Sequence, residues 1–454
     1  MEIEQQMSSE NLFARRAFLG ASASLLLPGQ TGVVAPVPSA HIDGKSGTMI
    51  IHSRKPEDIE MPLDGFLQAV TPNELFYIRS HHYTPSVDLD SFSLKVTGEV
   101  GVALSLSLKE LKKLPRVELV GVMECAGNGR AFYSPRMAGL QWSHGGVGNA
   151  RWAGVRLMDV LKKANIKASA RNIMFDGADV PVGTMPKFQR SIPVKKALDP
   201  DTMLAFEMNG QPLPVSHGAP LRVVVPGWGG DCWIKWLTGI QVLDKEFEGF
   251  FMKTGYRHPG KGVPPGTVVD PALMKPVESV HVKSVIATPK DNMMMTQGPS
   301  RIAGAAWSGE VPLAKVEVSL DGGRSWAAAR LTSSNGKWGW QTWDFAWNAT
   351  VGSYKIMARA TDANGYTQPT EQEWNPSGYM WNVVQTVRAE VLPLTGASYR
   401  SSCLGCHNED LMKGQKLTRG QWEKEVEKMM RWGAQVPADQ KATLIDYLAA
   451  RYKL

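Results

Sequence analysis

The chain has 454 residues, 20% of them charged and 43% hydrophobic, which is ordinary usage for a folded protein long enough for roughly two to four domains. Its formal charge is +7, from 50 Lys and Arg against 43 Asp and Glu. No basic run with interleaved aromatics appears, so a nucleic-acid partner is excluded and a small anionic substrate or an acidic protein partner fits the bias better. Four cysteines are too few for a disulfide-stapled scaffold, so each needs its own account.

Arg15 and Arg16 precede Ala17, Phe18, Leu19 and the weakly apolar run Ala21 to Leu27, which Pro28 closes. That run is too short to span a bilayer. A twin-arginine pair before it, with the small residues Ala35 and Ala40 beyond, predicts a Tat export signal within residues 1–40 and hence a periplasmic protein exported already folded around a cofactor. Elsewhere no segment is apolar for long enough to predict a membrane span.

Residues 41–275 mix short β-rich runs with helical ones: Phe92 to Val96, the helix candidate Leu108 to Leu114, Val117 to Val122, the helix candidate Leu157 to Ala164, and Leu221 to Val225. They predict a mixed α/β domain. Pro264-Pro265-Gly266 and Pro271 to Pro276 mark its end. Over 276–392 the pattern alternates, with Val316, Val318 and Leu320 facing one way and Lys315, Glu317 and Ser319 the other, before the turn Asp321-Gly322-Gly323. Eight of the 15 Trp lie between Trp307 and Trp381, bulk enough for the core of an Ig-like β-sandwich. Residues 393–454 turn helical and basic, with helices expected over Trp422 to Arg431 and Gln440 to Tyr452. The fold class is therefore α+β: a mixed α/β domain, a sandwich and a small all-α domain.

The all-α tail holds Cys403-Leu404-Gly405-Cys406-His407. This CxxCH spacing lets two thiols form thioethers to haem vinyl groups while the adjacent imidazole reaches the iron, so Cys403, Cys406 and His407 predict one covalent haem c. No His follows His407, leaving a methionine for the sixth position. Trp422, Val426 and Met429 share one helical face, which makes Met429 the expected ligand, while Met430 points about 100° away. Met412 is the other candidate, close behind the attachment motif. The segment resembles a small class I cytochrome c.

In the central domain the β-rich run ends in Met123-Glu124-Cys125 and enters Ala126-Gly127-Asn128-Gly129-Arg130, placing a thiol at a strand end before a glycine-rich loop, where sites of such domains commonly lie. Together with Gly148-Asn149-Ala150-Arg151-Trp152-Ala153-Gly154-Val155-Arg156-Leu157, with His217-Gly218-Ala219-Pro220-Leu221-Arg222-Val223-Val224-Val225-Pro226-Gly227 and with Trp374-Asn375-Pro376-Ser377-Gly378-Tyr379, this loop resembles the molybdenum sulfite oxidase family, over about Phe76 to Val391. The resemblance implies a molybdopterin-binding domain, a sandwich that serves for dimerisation, and Cys125 as the thiolate ligand of molybdenum, a soft donor suited to a high-valent metal. It further assigns His217, Arg222 and Lys235 to the pterin phosphate and His81 and Asp179 to other pterin contacts. Arg79 and Arg130 become anion-binding groups, and Tyr256 a phenol beside the substrate. Ser377 stands where the animal enzymes place a third substrate arginine, a charge that Arg257 would have to restore from another side. Trp142 corresponds to a pocket tryptophan. Cys232 has no assigned partner and reads as a buried free thiol.

Combined, the resemblance and the CxxCH motif imply a periplasmic sulfite dehydrogenase that passes electrons singly through its own haem to a soluble cytochrome c or similar acceptor, met through a small, transient interface. The competing readings are a sulfane dehydrogenase of thiosulfate oxidation, a molybdenum sulfoxide reductase running electrons inward, and a haem-bearing carrier with a degenerate catalytic domain.

Overall fold

A computed structural model describes residues 44–452; the export signal expected around Arg15 and Arg16 lies outside them. Among the described residues no helix is long and apolar enough to cross a membrane.

Three sheets build the first part of the chain. Ile50–Arg54, Glu57–Glu60 and Ile78–Arg79 form a small one. A second runs Gln211–Pro212, Met203–Met208, Val147–Arg156, Arg116–Glu124, with Arg222–Val224 also paired to Met203–Met208. The third runs Leu104–Ser107, Ser93–Gly98, Leu237–Leu243, Asn172–Gly177, Gln189–Pro193. Pairing is antiparallel except where Leu237–Leu243 meets Ser93–Gly98. The central core includes Trp152, Trp233, Phe175 and Leu237, all 1% exposed or less.

One of the two expected helices is shorter than periodicity alone predicts. The expected helix from Leu108 closes as Leu108–Leu111, opened by a capping box in which Ser107 and Glu110 bond each other's backbone and cut short by Pro115, which disfavours helical backbone at Leu114. Leu157–Ala164 has the expected limits and ends on Asn165 in the left-handed region at φ 52°, a conformation asparagine tolerates.

A four-stranded sheet (Lys283–Thr288, Gly298–Trp307, Gln341–Ala349, Arg330–Leu331) faces a five-stranded one (Met293–Thr296, Gln385–Leu392, Gly352–Asp362, Leu313–Ser319, Ala327–Ala328). Val316, Val318, Ile356, Ala358, Trp343 and Val387 fill the space between them. One expected orientation fails. Ser319 is buried, because its Oγ accepts from the amides of Asp321 and Gly323 and bonds the Asp321 carboxylate, closing the turn at the strand end. The sandwich and the first part share a second core, in which Trp307 and Trp340 pack on Phe66 and Val122. The Val122 amide donates to the Trp338 carbonyl, and the Trp340 indole to that of Gln68.

The tail folds as helices Leu394–Cys403, Glu409–Lys413, Arg419–Arg431 and Lys441–Arg451. The third starts three residues before the apolar stripe suggests, since Thr418 and Gln421 form a capping box there. Leu444, Ile445, Leu448, Trp422, Val426 and Tyr399 make its own small core.

Candidate functional site

The strand Arg116–Glu124 delivers Cys125 to the wall of a cleft lined also by Arg79, His81, Asp179, His217, Arg222, Lys235 and Tyr256. Eight of the expected site residues thus meet in one place. Cys125 is held by its backbone: its amide donates to the Gly146 carbonyl at 2.8 Å, and its carbonyl accepts from the Asn128 amide at 2.9 Å. Burial pushes the thiol pKa up, while Arg79, the Gly127 amide and Arg130 pull it down. These donors favour the thiolate that metal binding requires.

On one side stand Arg79, His81 and Tyr256. Arg79 is anchored to Asp58 at 2.9 Å, and its Nη2 lies 2.9 Å from His81 Nε2. The Tyr256 hydroxyl lies 3.0 Å from that same nitrogen. A guanidinium only donates, so His81 Nε2 accepts and the ring carries its proton on Nδ1. Burial, reinforced by the positive charge of Arg79, holds the His81 pKa well below the usual range, and burial raises that of Tyr256; the imidazole is neutral and the phenol protonated. One lone pair serves two donors. An oxyanion here would offer each of them an acceptor of its own. Tyr256 sits at φ 55°, unusual for a bulky residue, and its ring stacks on Tyr379 at 5.3 Å.

The opposite side is cationic. Lys235 reaches the Ser80 hydroxyl and the Ser216 carbonyl. Arg222 spans the carbonyls of His217 and Trp233, with its Nε left without a partner. Lys45, which nothing in the sequence singled out, places Nζ 2.8 Å from His217 Nε2 and donates to the carbonyls of Asn73 and Phe76. Burial lowers Lys45 and Lys235 to about 7 and Arg222 to about 10, and holds His217 far below its usual value. Burial is the main cause, and the carboxylates of Glu57, Glu74, Asp58 and Asp179 offset it only in part; a bound phosphate would relieve these cations further. The accessible space is narrow, about 70 Å³, so the fit to an anionic molybdopterin rests on charge and donor chemistry rather than volume: Cys125 would hold the metal, and His217, Arg222 and Lys235, backed by Lys45, the phosphate.

That cluster has a pH signature. A lysine with a depressed folded-state pKa binds fewer protons folded than unfolded between about 7 and the ordinary lysine value, so its cost is full below pH 7 and relieved as pH rises. Cofactor-free protein is expected to melt at higher temperature at pH 8.5 than at pH 6.5. Added phosphate should narrow the gap, and Lys235→Met should shrink it, all read by thermal unfolding.

Arg130 is not among the residues that line the cleft. Its guanidinium bonds the carbonyls of Gly378, Leu140 and Ser377 and lies over the Tyr379 ring at 5.0 Å, while its charge still acts on Cys125. Arg257 donates to the carbonyls of Met252 and Met274 and also lies outside the cleft lining. Ser377 bonds the Arg257 carbonyl. Trp142 is buried edge-on to Tyr77 rather than lining the cleft. Cys232 is a buried free thiol, pushed up to about 12 by burial and the neighbouring Asp231.

Sequence reasoning missed the ion pair of Asp231 and Arg190, 2.7 Å apart with both side chains 1% exposed. Asp231 lines the cleft, and Arg190 lies over the Tyr256 ring at 5.4 Å. Asp231→Asn leaves Arg190 buried without its counter-charge, and a loss of about 3–5 kcal/mol is expected in urea unfolding. No local motif marks the pair, since its members are 41 positions apart on separate elements.

In the tail, Cys403, Cys406, His407, Met412 and Met429 line one cavity of about 510 Å³ with Trp422, Val426, Leu444 and Leu448. That volume lies in the range of cofactor sites, and an apolar wall bearing two free thiols, an imidazole and two thioethers fits the chemistry of a covalent haem. Met430 is not in the lining.

Two family models match the chain: the oxidoreductase molybdopterin binding domain over residues 81–251, and the Mo-co oxidoreductase dimerisation domain over 274–392. They define a molybdopterin oxidoreductase. Mitochondrial sulfite oxidase of Rattus norvegicus is 35% identical over 364 residues, 76% of this chain and 66% of that protein, so the chain spans just under two thirds of the mammalian relative's length. Sulfite oxidase of Arabidopsis thaliana is 32% identical, covering 77% of this chain and 95% of its own. The solved sulfane dehydrogenase SoxCD of Paracoccus pantotrophus superposes with a TM-score of 0.66 at 28% identity, over 75% of this chain and 86% of that one. The chain belongs to the sulfite oxidase family.

Proposed function

We propose that this protein is a periplasmic sulfite dehydrogenase, which oxidises sulfite with water to sulfate, two protons and two electrons, and passes the electrons singly through its own haem c to a soluble cytochrome c or similar acceptor. The observation that carries the reading is the convergence of Cys125, Arg79, His81 and Tyr256 on one cleft whose far wall is cationic. When bound through Cys125, a molybdenum–molybdopterin centre supplies the two-electron chemistry. Arg79 binds the anionic substrate, held at its angle by Asp58. The Tyr256 hydroxyl hydrogen-bonds a substrate oxygen, and His81, held neutral, positions Arg79 and Tyr256 through Nε2. The tail cavity lined by Cys403, Cys406, His407 and Met429 receives the haem. Dimerisation through the sandwich accords with the description of the matched family model.

The test is anaerobic. Sulfite added to purified enzyme should reduce the haem, seen in its absorption bands. Silence toward sulfite overturns the reading, and oxidation of the reduced haem by methionine sulfoxide would establish a reductase. A sulfane dehydrogenase is the second reading. It is favoured by the likeness to SoxCD and by the presence of Arg79 as the one cleft arginine besides Arg222 among the described residues. Haem reduction by a protein-bound sulfane and not by sulfite would select it.

A further inference from the structure

Glu124, the residue before Cys125, is buried, and its carboxylate is gripped from two directions. Asn128 Nδ2 donates to Oε1 at 2.8 Å from within the cysteine loop. Lys283 Nζ donates to the same oxygen at 3.0 Å, and Trp307 Nε1 to Oε2 at 2.8 Å, both from the sandwich. Lys283 and Trp307 are directly paired across adjacent antiparallel strands, so their side chains leave the sheet on one face and reach the carboxylate together. The chain continues from there to the sulfur. Asn128 Oδ1 accepts from the Gly146 amide at 3.0 Å, and the Gly146 carbonyl accepts from the Cys125 amide at 2.8 Å.

We propose that Lys283 and Trp307 are positioning residues for the Cys125 sulfur, acting through Glu124 and Asn128, so that the sandwich helps set the geometry of the metal ligand in its own subunit. The inference rests on the reading of Cys125 as that ligand. A carboxylate with two donors from one body and one from the other fixes the loop relative to the sandwich. Lys283 and Glu124 are nearly solvent-free, at 2% and 8% side-chain exposure, so water cannot replace a deleted partner.

The variants are Lys283→Gln, the milder Trp307→Phe, which removes one donor and keeps an aromatic ring, and the double Glu124→Gln/Lys283→Gln, which restores a neutral pair of hydrogen-bonding amides. Three measurements are made on the full chain: kcat per bound molybdenum with KM, the Mo(V) paramagnetic resonance spectrum, and hydrogen–deuterium exchange of the 125–130 amides. Lys283→Gln should lower kcat per molybdenum by roughly tenfold to a hundredfold, the usual effect of removing an outer support of a metal ligand, with KM unchanged. It should also shift the Mo(V) spectrum and speed exchange within 125–130. Trp307→Phe should change all three in the same direction by less, and the double variant should recover most of the loss. A purely structural pair would lower the melting temperature and molybdenum content, leaving kcat per molybdenum and the spectrum as in wild type; that result, or a double variant no better than Lys283→Gln, overturns the proposal. If wild type binds molybdenum but ignores sulfite, the proposed substrate fails, whereas the Mo(V) spectrum, generated by stepwise reduction with dithionite, and the exchange pattern need no substrate and still decide this inference.

Discussion

Cys125→Ser is expected to reduce sulfite turnover to background with every acceptor, ferricyanide included, while haem staining of the denatured chain stays at the wild-type level. The substitution exchanges a sulfur that can ionise for a hydroxyl that does not ionise near neutral pH, which removes the anionic donor of the proposed metal ligand. It leaves the fold intact, because the groups that shape the loop are backbone atoms: the Cys125 amide on Gly146 and the Cys125 carbonyl under Asn128. Molybdenum content by elemental analysis and sulfite-dependent ferricyanide reduction, measured together, check it. Turnover comparable to wild type would remove Cys125 from the centre.

The Cys403→Ala/Cys406→Ala double variant should give the complementary result. Haem that survives denaturation disappears, because both thioether positions are gone, and sulfite-dependent reduction of cytochrome c falls to background. Sulfite-dependent ferricyanide reduction persists, because a small acceptor does not need the tail and the tail has a core of its own around Trp422, Leu444 and Leu448. Haem staining and paired assays with the two acceptors check it. Equal loss with both would mean that the catalytic part depends on the tail for its structure.

What the sequence made legible, and what it hid, follows from distance along the chain. Leu157–Ala164 was readable because its apolar residues repeat at helical spacing and nothing within it competes. That Cys403, Cys406 and His407 share one cavity was readable because they are neighbours in the chain, and that Met429 joins them because it shares a helical face with Trp422 and Val426. The cleft lining was readable only through family resemblance, since Arg79, Cys125, His217 and Tyr256 come from four separate elements. Lys45 escaped because its partner His217 lies 172 positions away and because a lysine near a presumed export segment looks like any solvated charge. The partners of Arg130 were hidden for a related reason. Spacing after Cys125 gives proximity to the loop, but the carbonyls of Ser377 and Gly378, more than 240 residues on, decide which way the guanidinium turns. Ser319 shows the same at short range, where a turn reclaims the last residue of a strand.

The shared aromatic core of Phe66, Val122, Trp307 and Trp340 also bears on how this architecture can be recombined. Exchanging the sandwich for that of a relative at the proline-rich border would substitute half of an interior, and a foreign sandwich lacking indoles of matching shape would leave Phe66 and Val122 facing a void. Such chimaeras should succeed only when the first strands of the sandwich and the stretch around residues 61–68 travel together, so the heritable module is larger than the catalytic lobe drawn from its sheets alone.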